Sequence, residues 1–351
     1  MNTHRLTGDI TTALSHFAAW GLASILTDMA VYSGSGDLLA KTSWSDETQS
    51  VPLLHSVLSE DEVGDVVRAH AQRHTRPSSW VQAKVREGVR AGSGLLSPRL
   101  KAAPVEEVGP FEAERAHALS VADDAGELTA LDWAMLAGLG EPAWWRCSPK
   151  ESQPDAGASR WEMKTRNRGE EFVGNRLGPL AECVALRSAG LVWDGISGGA
   201  LVDDLAGTNA MHSRTPTGLA EPGPADSAVA WCALWAISIF PTVHLSTTAL
   251  PEGGMSQSPA AWPRHRVHPS VACLPIYVSP VSPTRVRSIV TTSAFDVAAF
   301  GGLRSLDEDV PRAKAWLANQ GVRGLARFPI HVGGSSSAPE RFLLMGAVEP
   351  L

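Results

Sequence analysis

The sequence is short of cysteine, of tyrosine and of positive charge. Its 351 residues include four Cys and two Tyr, and 37 acidic against 30 basic side chains give a formal net charge of −7. The cysteines lie far apart, with no Cys-x-x-Cys pair, so we expect reduced, buried thiols and no zinc or other metal site. A net negative charge also argues against a free-standing nucleic-acid-binding protein, which is normally basic.

Long apolar runs are missing as well. The most apolar run, residues 228–240, covers 13 residues, which is too short to cross a bilayer and predicts a buried helix. The first residues lack the basic-then-apolar pattern of a secretory signal peptide. With 44% hydrophobic and 19% charged residues, we expect a globular, cytoplasmic protein that does not contact the membrane.

The positive charge that is present is gathered into bands. Residues 68–101 carry eight Lys or Arg against one acid, whereas residues 1–67 and 102–159 are acidic. Smaller basic excesses follow in 160–176 and 264–351. This distribution permits a basic groove on an acidic body, and it equally permits ion pairing between neighbouring segments.

Alternation of side chains predicts an extended strand over residues 160–168. Trp161 and Met163 begin its inner face, and its outer face carries Lys164, Arg166 and Arg168. A basic outer face suits an anionic partner, although charged edge strands also protect sheets against aggregation. A helix is predicted to follow, from apolar residues at helical spacing: Leu177, Leu180, Cys183, Val184 and Leu186.

Hydrophobic periodicity elsewhere predicts an α+β fold, with mixed sheet pieces and several buried amphipathic helices. Further helices are predicted over 10–31, 61–72, 80–89, 128–139, 225–240 and 310–319, and strands over 38–44, 190–195, 272–278, 285–291, 327–332 and 342–348. Residues 148–159 have linker composition. We therefore predict an N-terminal α+β domain over 1–147 and a C-terminal α+β domain over 160–351.

One motif points to an enzyme. Gly195-Ile-Ser-Gly-Gly199 matches Gly-x-Ser-x-Gly and follows a predicted strand, which is the setting of a nucleophile elbow. Asp307 or Asp309 and then His331 stand in the chain order of a hydrolase triad. The alternating βα units that precede such an elbow are missing from residues 100–190. A serine hydrolase that uses Ser197 is therefore kept as an alternative, and the main prediction is a protein without catalytic activity.

Three further patterns suggest ligands of other kinds. His70 and His74 lie four residues apart, but Arg73 between them repels a cation, so a surface pair is predicted rather than a metal site. Arg264-His-Arg266-Val-His268 suits phosphate better than metal. Gly333-Gly-Ser-Ser-Ser337 offers free N–H groups but lacks the Gly-Lys-Ser/Thr ending of a nucleotide-binding loop, which favours a solvent loop.

Several stretches together resemble one family. The stretch over residues 6–26 looks like the opening helix of CRISPR-associated proteins from the rarer, U/G-like type I systems. The stretch over 175–191 is similar to a helix of their large or small accessory subunits. Residues 213–218 with Trp231, and the late loop over 334–341, add to the likeness. The resemblance includes no diagnostic catalytic motif.

The resemblance implies a large-subunit-like, non-catalytic component of a Cascade-like surveillance complex in antiviral defence. Such a subunit contacts CRISPR RNA, target DNA and other Cascade-type subunits, while a separate helicase-nuclease cuts, and no cofactor is expected. Contact with nucleic acid is predicted for Arg68, Arg73, Arg76, Lys84, Arg86, Arg90, Lys164, Arg166, Arg168, Asn175, Arg214, Arg264 and Arg266. The acidic segments would then face basic neighbouring subunits. A protein–protein scaffold without nucleic-acid contact is the second alternative.

Overall fold

The computed structural model describes residues 1–34, 39–88, 91–98, 108–143, 157–163, 172–204, 215–244, 256–263, 269–304, 308–335 and 338–351. Its helices are α1 (Ala13–Tyr32), α2 (Glu60–Thr75), α3 (Val108–Asp124), α4 (Ala130–Leu139), α5 (Gly178–Ala185), α6 (Ala189–Ser197), α7 (Ser227–Trp235), α8 (Pro283–Val290), α9 (Ser293–Phe300) and α10 (Val310–Asn319). Its strands are β1 (Asn2–Arg5), β2 (Lys41–Trp44), β3 (Pro52–Ser56), β4 (Val243–His244), β5 (Ser256–Gln257), β6 (Ala261–Trp262), β7 (Val271–Ile276), β8 (Gly324–Ser335), β9 (Ala338–Leu343) and β10 (Ala347–Pro350). The predicted α+β fold is confirmed.

The strands pair antiparallel throughout the described residues. A sheet near the N-terminus has the order β1-β3-β2, with Thr3 opposite His55. A larger sheet has the order β10-β8-β7-β6, and the long strand β8 also pairs with β9. In its centre Leu274 of β7 lies opposite Ala326 of β8, and both side chains are buried. The strands β4 and β5 form a separate short pair.

The helices α1 and α7 form the centre of the molecule. Every residue of α7 is buried, as expected for a helix that is apolar all round. Gly21 of α1 faces α7 so closely that a Cβ at this position would overlap the carbonyl oxygen of Cys232. Glycine at the crossing therefore allows the two helix backbones to touch.

By length and composition alone, the helix α1 could cross a membrane. A stretch of 18 of its 20 residues reaches a mean hydropathy of 1.2, and 72% of that stretch is buried inside the protein. Its buried residues include His16 and Asp28 as well as Phe17 and Ile25. Burial of this extent is typical of the core helix of a globular protein.

One hydrophobic core joins residues from both sides of the predicted domain boundary. Phe17 packs against Trp161 and Phe240, with ring centroids 4.9 and 5.1 Å apart. The same buried cluster runs from Leu6 to Leu343. The two predicted domains therefore share one core, and their independence stays a prediction. Most of the predicted linker, residues 148–156, lies outside the described residues.

Several predicted elements are confirmed and several are wrong. The helices predicted over 10–31, 61–72, 128–139, 225–240 and 310–319 are present as α1, α2, α4, α7 and α10. The predicted strands at 190–195 and 285–291 are instead the helices α6 and α8. Each begins at a serine cap, where Ser188 accepts a hydrogen bond from Leu191 N and Ser282 accepts one from Arg285 N. Such caps supply a partner for the first free N–H groups of a helix.

The strand predicted over 160–168 is also wrong in its described part. Residues Arg160, Trp161, Glu162 and Met163 are all buried, so side chains do not alternate between core and solvent there. Trp161 donates from Nε1 to the carbonyl oxygen of Pro259 at 3.0 Å. The helix predicted after this strand is present as α5, although Leu186 just beyond its end is 88% exposed.

Candidate nucleic-acid interface

The helix α2 carries the first of the predicted nucleic-acid-binding residues. It begins with a capping box, in which Glu62 accepts from the N–H of Ser59 at 2.7 Å and Ser59 accepts in return from the N–H of Glu62. Three acids stand in its first turn and Arg73 and His74 in its last, which matches the helix dipole. The end of α2 thus places basic side chains next to the segment that follows.

The structure corrects the prediction for Arg73. Its side chain is 8% exposed and pairs with the fully buried Asp132 of α4, with Nη1 2.9 Å from Oδ2. Asp132 also accepts from Trp80 Nε1 at 2.8 Å and from the N–H of Thr129 at 2.8 Å. A guanidinium enclosed in this way cannot reach a phosphate. Arg73 faces inward because it lies on the side of α2 that packs against the core.

His70 and His74 are buried, so the predicted surface pair is wrong. The His70 ring lies 4.6 Å from that of Trp235, and the His74 ring lies 4.8 Å from it. Burial lowers the pKa of both histidines well below the ordinary value, and the nearby positive charge of Arg73 lowers both further. Both rings therefore stay neutral at physiological pH. Within the described residues no group of His, Cys, Asp and Glu is arranged to hold a metal ion.

The segment over residues 76–98, which we call the basic loop, follows α2. Its sequence contains Arg76, Lys84, Arg86 and Arg90 against the single acid Glu87. It is anchored by apolar side chains that are at most 4% exposed: Trp80, Val81, Val85, Leu95 and Leu96. Backbone hydrogen bonds tie its two arms together, from Val85 N to Ser93 O at 2.9 Å and from Leu95 N to Ala83 O at 2.8 Å. The helix predicted over 80–89 is absent from the described residues, because these apolar residues serve as anchors of a folded loop.

The basic loop presents three of the predicted cations to solvent. Arg76, Lys84 and Arg86 are exposed. Arg86 forms a long ion pair with Glu114, with Nε 3.7 Å from Oε1, and its side chain is 86% exposed. For Arg76 and Lys84 the described part of the chain provides no ion pair. Unpaired, exposed cations on an anchored loop are suited to contact a polyanion.

The remaining predicted residues differ in their surroundings. Arg68 on α2 is partly exposed and pairs with Asp65 at 2.7 Å, one turn earlier. Asn175 is exposed in the π-helical turn Val173–Leu177 that precedes α5. The other predicted contacts lie outside the described residues: Arg90, Lys164, Arg166, Arg168, Arg214, Arg264 and Arg266.

The setting predicted for Ser197 is wrong. Ser197 is the last residue of α6, and Gly198 after it caps the helix with φ 90° and an N–H bond to Asp194 O at 2.9 Å. A nucleophile elbow needs a strand before the serine and a helix after it. Of the proposed partners, Asp309 precedes α10, and His331 of β8 stacks on Phe342 at 4.5 Å. Asp307 lies outside the described residues.

The late glycine-serine segment belongs to a hairpin. Residues Gly333 to Ser335 end β8 and pair with Glu340 to Ala338 of β9. Their N–H groups are therefore placed beside a partner strand, and Ser336 and Ser337 at the turn lie outside the described residues.

Buried acids were missed by sequence reasoning, among them Asp132 and Asp28. Asp132 neutralises Arg73, and Asp28 lies in the mostly apolar helix α1. A charged residue within a mostly apolar helical run was the available sign for Asp28, since such a residue is rarely buried without a partner or a role. Comparison of the chain with known protein families, with curated proteins and with solved structures gives no match.

Proposed function

We propose that this chain is a non-catalytic, nucleic-acid-contacting subunit of a cytoplasmic CRISPR RNA-guided surveillance complex. The observation that supports it is the basic loop, where Arg76 and Lys84 are exposed and, among the described residues, free of acidic partners. The resemblance of residues 6–26 and of 175–191 to subunits of such complexes indicates the kind of assembly. These two stretches contain much of α1 and the region around α5 and the start of α6.

Electrostatics explains how an acidic chain can serve this role. Contact with a phosphate backbone depends on the local density of cations, since exposed charges more than about 8–10 Å apart are screened at physiological salt. The net charge of −7 is therefore compatible with a local basic surface. Acidic surfaces elsewhere would orient the subunit by repelling nucleic acid and attracting basic neighbouring subunits.

Charge reversal of the basic loop tests the proposal. We expect the double variant Arg76→Glu/Lys84→Glu to bind fluorescein-labelled single-stranded RNA or duplex DNA more weakly, to a similar degree for every sequence tried. Each lost phosphate contact should also reduce the slope of log affinity against log salt by roughly 0.7–0.9. Fluorescence anisotropy over a series of KCl concentrations measures both effects.

The control that reverses a cation elsewhere on the surface is Arg312→Glu, to be compared with the single variants Arg76→Glu and Lys84→Glu as well as with the double variant. Arg312 is 88% exposed on α10 and lies 3.9 Å from Asp309, so its reversal changes the net charge without touching the basic loop. We expect it to retain most of the wild-type affinity. If the double variant binds like the wild type, or if Arg312→Glu loses as much, the basic loop is not the interface. If the affinity for a protein partner then does not change with salt concentration, the alternative of a protein–protein scaffold without nucleic-acid contact is favoured.

A further inference from the structure

A cavity of about 500 Å³ opens between α1, α4 and the beginning of α8. This volume lies within the range of about 300–1,000 Å³ that small-molecule sites occupy. The aliphatic side chains and proline in its wall are Val31, Leu39, Leu128, Leu131, Ile239 and Pro283. Val31 and Leu39 are also exposed, so the apolar surface continues to the rim. The cavity therefore suits a ligand with a hydrocarbon body.

The acid of the described lining is engaged by protein groups. Asp28 of α1 accepts from the N–H of Leu131 in α4 through Oδ1 at 3.1 Å, and its Oδ2 is enclosed by protein atoms. Burial raises the pKa of Asp28, which disfavours its charged form, while the Thr129 hydroxyl and the Leu131 N–H act in the opposite direction. This carboxyl thus connects α1 to the start of α4 and offers little to a ligand.

Arg287 brings a positive charge to the wall of the cavity. It lies on α8 one turn after Pro283 and Thr284, and all three residues line the cavity. A helical side chain leans toward the N-terminus of its helix and covers the preceding turn, so the guanidinium of Arg287 is directed toward these two residues. Arg287 is partly exposed, and its side chain has no ion pair or hydrogen bond within the described residues. Its charge is therefore available to an anionic ligand.

Two hydroxyl groups on the same side of the cavity can also donate. Ser282 caps α8 by accepting from the N–H of Arg285 at 3.3 Å, which leaves its own hydroxyl hydrogen unused. The hydroxyl of the exposed Thr284 makes no hydrogen bond within the described residues. The hydroxyls that α1 contributes are different, since Ser24 and Thr27 donate to carbonyl oxygens of their own helix. The beginning of α8 thus gathers free donors next to a cation.

We propose that the cavity binds a small aliphatic carboxylate, whose hydrocarbon body fills the apolar space and whose two oxygens accept hydrogen bonds from Arg287. The planar guanidinium presents paired N–H groups that match a carboxylate. Arg287 is the one cation of the described lining, which suits the single charge of a carboxylate better than the higher charge of a phosphate monoester.

Other occupants fit this wall less well. An amine would meet the positive charge of Arg287 and would find the carboxyl of Asp28 already engaged with α4. A nucleobase is a poorer occupant, since Tyr32 is the single ring that the described lining offers for stacking. The proposal is independent of nucleic-acid contact.

Three probes of similar shape test it: cyclohexylacetate, cyclohexylacetamide and 2-cyclohexylethylamine. We expect saturable binding of the carboxylate to the full chain by isothermal titration calorimetry. The amide has nearly the same shape without the charge. It should bind about five- to tenfold more weakly, because a charge-assisted hydrogen bond is exchanged for a neutral one. The amine should bind weakest of all.

Two arginines of α8 provide a variant and its matched control. Arg287→Met should weaken binding of the carboxylate about five- to tenfold and leave the amide nearly unchanged, because the charge is removed and most of the side-chain length is kept. Arg285→Met should bind both probes like the wild type, since Arg285 does not line the cavity and donates to Gln320 Oε1. Circular dichroism confirms that each variant is folded.

A third variant tests the cavity itself. Ala134→Phe, which places a ring in the cavity from α4, should weaken carboxylate and amide together. If this variant does not fold, the comparison of probes on the wild type and the two arginine variants still decide.

The proposal is overturned by any of three results. The wild type could bind carboxylate and amide equally, or bind no carboxylate at about 10 mM, the weakest affinity expected for so small a molecule. Arg287→Met could bind the carboxylate as well as Arg285→Met does. A folded Ala134→Phe variant could retain full binding of the carboxylate. In each case Arg287 and the cavity would not form a carboxylate site.

Discussion

Arg73 and Arg76 are three residues apart in the same basic band, yet their environments are opposite. Arg73 is enclosed with Asp132, a residue 59 positions later in the chain, and its guanidinium lies 5.2 Å from the ring of Tyr32. Arg76 follows the end of α2 and is exposed. Sequence alone could not separate them, because the buried acid that neutralises Arg73 comes from a distant helix.

Replacing each of these two arginines by methionine should show that the charge of Arg73 stabilises the fold, whereas the charge of Arg76 does not. We expect Arg73→Met to reduce the free energy of unfolding by about 3–5 kcal/mol, because Asp132 would be left buried without its partner. Arg76→Met, the matched control, should change it by no more than about 0.5 kcal/mol. Urea unfolding followed by circular dichroism measures both. If both variants lose the same free energy of unfolding, the Arg73–Asp132 pair stabilises the fold no more than an exposed arginine does.

At the level of elements, the close contact of α1 with α7 depends on the small size of Gly21. Alanine has the higher helix propensity by about 1 kcal/mol, but at this site its Cβ would overlap the backbone of Cys232. A methyl group added at Gly190, near the start of α6, would instead meet open space out to 4 Å among the described residues. At Gly21 the close packing of the two helices therefore decides the effect of a substitution, whereas at Gly190 the helix propensity decides it.

Alanine substitution at Gly21 and at Gly190 should change the stability of the protein in opposite directions. We expect Gly21→Ala to destabilise the protein by about 1–3 kcal/mol, because α1 and α7 must move apart. Gly190→Ala should be neutral or stabilising by up to about 1 kcal/mol, since Gly loses more entropy on folding. Thermal unfolding measures both changes. A stabilising Gly21→Ala would indicate that the crossing has room to relax.

The sequence predicts the long elements well and the short ones poorly. The helices α2 and α10 have distinct polar and apolar faces over ten or more residues, with acids or a proline in the first turn, and α1 is recognisable as a long, mostly apolar run. The helices α6 and α8 are only nine and eight residues long, and each contains β-branched side chains. The hydrophobic pattern of so short a segment does not distinguish a helix from a strand. The serines that cap these two helices, Ser188 and Ser282, were the feature in the sequence that could have identified them as helices. The cavity beside Asp28 needed the tertiary structure, since its walls come from separate helices.

For the whole molecule, the shared core bears on how the chain unfolds. Residues on both sides of the predicted boundary, such as Phe17 and Phe240, pack against each other. Removing either half would expose the apolar surface of the other. Two halves that depend on each other in this way are expected to unfold together.

Differential scanning calorimetry of the full chain should therefore give one transition. We expect the calorimetric enthalpy to equal the van't Hoff enthalpy, which is the test of an all-or-none process. The variant Gly21→Ala should lower the midpoint of that single transition without splitting it. Two resolved peaks, or a van't Hoff enthalpy near half the calorimetric value, would support the prediction of two independent domains.

The buried anchors of the basic loop have a consequence for the kinetics of any association. Trp80, Val85 and Leu95 hold the backbone near Arg76 and Lys84 in place before a partner arrives. A preorganised surface loses little conformational entropy on binding. Its encounters would then be governed by long-range attraction and by diffusion, with no slow folding step before the complex forms.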